Sequence, residues 1–164
     1  MTLTAILPSL RASIPDPLDA TAWPAHTEPT TDDLRVSAVS MSRLAEVAGT
    51  PCVHTAEEAP PRYRPRDWTP RVMSVAVAAV TAVERTPAGI ALELDAVLPD
   101  CAVLDEARLI GRRTTAPRTA ARVGSDAVVV PGDVRVGDLV CFPCRRALTH
   151  REVVAAVPLS GATR

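Results

Sequence analysis

The chain has 164 residues, a formal charge of −1 at pH 7, 47% hydrophobic residues and only 2% aromatic ones. This is one ordinary domain, able to bury roughly two-thirds of its unfolded surface in a core of Val, Leu, Ala and Ile. All 18 basic residues are Arg, which excludes a side-chain Schiff base to pyridoxal phosphate or to a carbonyl substrate. Trp23, Tyr63, Trp68 and Phe142 are the only aromatic residues, too few to stack single-stranded nucleic acid.

The small net charge hides an asymmetry. Residues 1–60 carry eight acidic residues against three Arg, and residues 109–151 carry eight Arg against three Asp. Either the two ends attract each other or the basic part faces an anionic ligand. The opening MTLTAILPSLRASIP lacks a basic leader and is broken by Pro8, and no apolar run is long enough for a membrane span. The expectation is a cytoplasmic protein with four reduced cysteines, no membrane association and no nucleic-acid partner.

Residues 1–30 hold Pro8, Pro15, Pro17, Pro24 and Pro29, which forbid a long helix. They read as an extended arm anchored by Leu7, Leu10, Ile14 and Trp23. Residues 31–58 read as strand, helix, strand: a strand LRVSAV, an N-cap at Ser40, Met41, Leu44 and Val47 at helical spacing, a stop at Gly49, then a strand at Cys52 to Thr55. Residues 59–70 (APPRYRPRDWTP) form an irregular Pro/Arg-rich connector.

Residues 71–158 read as a β-domain, followed by a tail at 159–164. Its first strand, from Val72 to Glu84, carries an irregularity at Ala78-Ala79 and also fits a helical face. The β-branched content and the turn at Pro87-Ala88-Gly89 favour a strand. Ile90, Leu92 and Leu94 alternate with Ala91, Glu93 and Asp95 as in a half-buried strand. Further strands are expected at 107–110, 119–123, 127–130, 139–142 and 152–157, with turns at Gly124-Ser125, Pro131-Gly132-Asp133 and Gly137-Asp138. The fold class is therefore mainly β: a small antiparallel Greek-key-like barrel or sandwich with one short N-terminal helix and no TIM barrel.

Two pieces of this pattern resemble one family. LRVSAVSMSRLAEVAGTPCVHT is similar to the opening of diaminopimelate decarboxylases and other alanine-racemase-fold, pyridoxal-phosphate-dependent decarboxylases. The upstream LPSLRASIPDPLDATAW is similar to actinobacterial members. The stretch from about Val72 to Val157, with RLIGRR, VRVGDLVCFP and ALTH, resembles the β-domain that follows the barrel in those enzymes. The barrel itself needs at least ~200 residues, and only the connector stands in its place.

The resemblance implies a catalytically stripped, barrel-deleted relative that needs no cofactor. Thr114 stands where the family has its reactive Cys, Thr115 and Arg118 where it has acidic groups, and Leu148 where it has the Tyr that reaches the cofactor. Because family subunits complete each other's active sites through this domain, the resemblance also implies a homodimer or a complex with a larger enzyme. The inherited surface is represented by Arg113, Thr114, Thr115, Arg118, Arg146, Leu148 and His150, where a small acidic or apolar ligand is expected. Arg112 and Arg145 fall on the same loops. Arg suits a carboxylate or phosphate because its fork is bidentate and permanently charged.

The alternative is a cofactor-free cyclase or isomerase, of polyketide type for example, that holds its substrate in an apolar pocket. Cys141-Phe142-Pro143-Cys144 is a CxxC, but Cys52 and Cys101 are isolated, so free thiols are expected rather than a metal or redox site. His26, His54 and His150 are scattered. Asp133 and Asp138 read as turn formers.

Overall fold

A computed structural model describes residues 13–154. It is mainly β: a curled half-barrel sheet, a small three-stranded sheet and two short helices, with no TIM barrel. The small sheet is β1 (Thr27–Pro29), β2 (Leu34–Val36) and β3 (Val39–Ser40), and it leads directly into helix α1 (Met41–Ala48). The larger sheet contains β4 (Cys52–Glu57), β5 (Val72–Thr86), β6 (Gly89–Leu94), β7 (Arg108–Ile110), β8 (Arg118–Val123), β9 (Asp126–Pro131) and β10 (Leu139–Cys144). A 3-10 turn at Leu104–Glu106 precedes β7, and helix α2 (His150–Val153) follows β10.

The strand order is β7-β10-β5-β6-β8-β9, with β4 also on β5; every pairing in this sheet is antiparallel except β6 with β8. β5 organises the molecule. Its first half is paired on both edges, with β4 and β10, and its second half turns to β6. The changeover is a register shift between Val80 and Ala82, slightly beyond the irregularity expected at Ala78-Ala79. There the Asp95 carboxylate accepts the Ala79 N–H at 2.8 Å and the Asp138 carbonyl accepts the Val80 N–H at 2.8 Å, so both N–H groups are satisfied where the partners change.

Alternate residues of β5 serve two cores. Val75 and Val77 join Trp23, Leu34, Val36, Met41 and Ile110 on one face, while Ala76, Ala78 and Val80 join Val130, Val134, Val140 and Phe142 on the other. A strand covered on both faces loses its polar alternation, which is why 72–80 is also compatible with a helix by pattern. The N-terminal segment is thus a cover for one face of the sheet.

Local differences from the sequence reading have identifiable causes. LRVSAV is a hairpin rather than one strand, since Ser37 and Ala38 both take positive φ (49° and 68°) and reverse the chain in two residues. Neither is the Gly or Asn that normally marks such a turn. Ser40 caps α1, its Oγ accepting the Arg43 N–H at 3.1 Å, and Gly49 (φ 78°) ends it. Its buried face is Met41 and Ala45; Val47 is exposed.

In the arm, Trp23 is buried and Ile14 is exposed, residues 27–29 form β1 rather than an extended coil, and Leu7 and Leu10 lie outside the described residues. The strand expected at 152–157 is instead α2 followed by a single bridge, Val154 to Ala96, with 155–157 outside the described residues. The capping box at Thr149 and Glu152 accounts for that outcome. No helix among the described residues is long and apolar enough to cross a membrane.

Candidate functional site

The loop that joins β7 to β8 carries the densest set of candidate residues. It leaves β7 at Gly111 (φ 84°), whose N–H donates to the Asp32 carbonyl at 2.7 Å. Arg112 then turns inward. Its Nε and Nη2 each donate to Asp138 at 2.7 Å, and Nη1 donates to an Asp133 carboxylate oxygen at 3.0 Å. The Asp138 side chain is 5% exposed and also accepts the Arg135 N–H at 3.0 Å. Asp138 therefore does more than form a turn.

Asp138 is also the main reason that the Arg112 pKa is raised, against the opposing effect of burial. Burial works to raise the Asp133 pKa, but hydrogen bonds from Arg112 and Thr114 outweigh it and hold that carboxyl below its ordinary value. The Thr114 hydroxyl donates to Asp133 at 2.8 Å and accepts the Ala116 N–H at 3.1 Å. This network fixes the loop from beneath and leaves its outer edge to a groove of about 480 Å³.

Arg113, Thr114, Thr115 and Arg118 all line that groove. Residues 14–17 form another part of its wall and 107–109 another. Arg118 donates from one nitrogen, Nη2, to the carbonyls of Asp105 (2.7 Å), Ala107 (2.9 Å) and Val129 (3.3 Å). Those carbonyls belong to the 3-10 turn, the residue before β7, and β9. Arg118 thereby bridges the two ends of the curled sheet, which are not paired strand to strand. Its pKa is lowered, first by burial and then by the positive charge of Arg108.

The other three expected residues do not line the groove. Leu148 is buried in the β-domain core, and its N–H donates to Ser74 Oγ at 2.8 Å. His150 lies at the start of α2, with Nε2 3.0 Å from the Pro51 carbonyl oxygen. Arg146 is paired with Glu152 at 2.7 Å and Asp100 at 3.5 Å.

Glu152 accepts the Thr149 N–H at 2.7 Å, and this bond, with help from Arg146 and the Thr149 hydroxyl, lowers its pKa from 4.5 to about 2. A depressed carboxylate pKa stabilises the fold above the unfolded value and loses that contribution as pH falls through the folded one. The α2 cap is therefore expected to hold at pH 5 and to release progressively between 4.5 and about 2. Following the Thr149 amide resonance against pH checks this; a midpoint near 4.5 would contradict it.

The CxxC is divided between the cores. Cys141 faces the Trp23 side and Cys144 the β-domain interior, because residues three apart in a strand point to opposite faces. Burial raises the pKa of both thiols. Cys101 is not isolated: it lies against Cys144, whose pKa it raises further. Among the described residues no group of three or more His, Cys, Asp or Glu is placed to hold a metal ion.

Arg108, Glu106 and the inward role of Arg112 escaped the sequence reading. An Arg inside the short apolar run ARLI was the available signal for Arg108. Neither a scan of protein-family models nor a search of curated proteins returns a match to this chain.

Proposed function

We propose that this chain is a non-catalytic binding and assembly module, a decarboxylase-like β-domain that works without pyridoxal phosphate. The observation that carries the reading is the convergence of Arg113, Thr114, Thr115 and Arg118 on one open groove. In the resembled enzymes, the corresponding residues face a neighbouring subunit. Two polar side chains of the groove are engaged in holding structure: Thr114 is bound to Asp133, and Asp33 accepts from Ser40 and from the Ser42 N–H. None of these pairs a nucleophile with a free general base.

The lining also mixes Pro, Thr and Arg with Leu34 and Leu109, unlike the wholly apolar pocket that a cofactor-free cyclase would use. As an assembly module the chain works as a homodimer or bound to a larger enzyme. Light scattering at micromolar concentration is expected to give a dimer, and pull-down against a full-length decarboxylase of this type covers the second arrangement. A monomer that captures no such enzyme would overturn the assembly reading. Cofactor absorbance in the purified protein, with stoichiometric pyridoxal phosphate, would overturn the rest.

A further inference from the structure

Two guanidinium groups border the groove, and their donors are incompletely used. The Arg108 side chain is 10% exposed; its Nη2 donates to the Pro17 carbonyl at 2.7 Å and pairs with Glu106 at 3.1 Å. Nε and Nη1 of Arg108 and Nε of Arg118 are buried and find no hydrogen-bond partner among the described residues. Guanidinium nitrogens cannot shed their protons, and a dry, unpaired charged donor is among the costliest arrangements a fold can hold. Three such nitrogens on two neighbouring arginines call for an acceptor that those residues do not supply.

Two of the nearby carboxylates, Glu106 and Asp33, are already engaged. One oxygen of Glu106 accepts from Trp23 Nε1 at 2.9 Å, from the Asp19 N–H at 3.2 Å and from Arg108. Asp33 is held by Ser40 and Ser42. Among the described residues, no carboxylate lies within 4.0 Å of Arg118 or of Arg113, which is exposed at the groove. Asp16, on the wall formed by 14–17, acts on Arg118 only through its charge.

We propose that the groove is a binding site for a small oxyanion, a carboxylate or a phosphate, held between Arg108 and Arg118 with Arg113 at the rim and segment 14–17 drawn aside to admit it. The proposal rests on the binding-module reading and names its ligand chemistry. Two guanidinium groups offer the forked, permanently charged donors that planar or tetrahedral oxyanions fit. Glu106, Asp16 and Asp105 are the acidic charges within the chain that compete with the ligand at Arg118, and of these Asp16 stands on the groove wall.

Trp23 reports on the site because its indole N–H shares Glu106 with Arg108. In a Trp68→Phe protein, Trp23 is the sole tryptophan. Titration with inorganic phosphate and, separately, succinate at constant ionic strength is expected to give a saturable change in its emission, matched by calorimetric heats. Response to phosphate alone assigns a phosphate ligand, to succinate alone a carboxylate, and to both a site selective for charge. Arg113→Ala is expected to weaken binding roughly tenfold, and Asp16→Asn to tighten it roughly threefold. Both positions are at the groove wall, so unchanged circular dichroism certifies the fold. No saturable heat with either anion, or binding that both variants leave unaltered, overturns the proposal. A dimer that binds neither anion removes this inference and leaves the assembly reading standing.

Discussion

Arg112→Met is expected to lower the free energy of unfolding by about 3–5 kcal/mol, read from urea denaturation. The Asp138 carboxylate, 5% exposed, would lose both of its 2.7 Å guanidinium hydrogen bonds and be left charged in the interior. Asp138→Leu should also be damaging, because it takes from Arg112 its two 2.7 Å bonds and leaves Asp133 as its carboxylate partner. The double variant should recover much of the loss, since a buried ion pair often gives way to apolar side chains at little net cost even though removing one partner is severe. A single-variant loss below about 1 kcal/mol would place this pair with ordinary surface ion pairs.

Arg118→Met is the second large effect expected, about 3 kcal/mol, and it should be local in character. Asp105, Ala107 and Val129 carbonyls would lose one shared donor at the seam between the ends of the curled sheet. Amide exchange in β9 and the 3-10 turn should accelerate well before that in β4, which lies on the opposite edge of β5 from β10. Arg118→Lys should rescue little, because a compact ammonium on a flexible stem does not reproduce a planar guanidinium. Uniform acceleration across the whole chain would show that the seam is not a separate unit.

Much of the fold was legible in the chain because its signals are local. The alternation of Ile90, Leu92 and Leu94 gives β6, Gly124-Ser125 gives the β8–β9 turn, and Ser40 with Gly49 brackets α1. What was not legible depends on partners distant in sequence. Val72 to Val80 lacks alternation because both faces are covered, one of them by Trp23, about fifty residues upstream.

The site divides on the same principle. Arg113, Thr114, Thr115 and Arg118 lie on one short stretch, the β7–β8 loop and the first residue of β8, and nearness in sequence brings them together. The family resemblance alone joins Leu148 to them, yet its apolar side chain gains more from the core than from a polar groove. The bonds of Arg118 to three backbone carbonyls, like the pairing of Arg112 with Asp138, follow from the curl of the sheet. No sequence spacing announces that curl.

The position of β5 bears on how the chain is made as well as how it stands. β4, β5 and β6 leave the ribosome in succession, but β10, which fills the remaining edge of the first half of β5, begins about sixty residues after Ala79, where that half ends. Until then a nascent chain presents an open, strongly apolar strand edge running along Ser74 to Ala79, the register that Cys144 to Leu139 will occupy. Open edges of this kind recruit other strands, including those of sister chains. Truncation before Leu139 should therefore yield aggregates rather than a smaller folded domain.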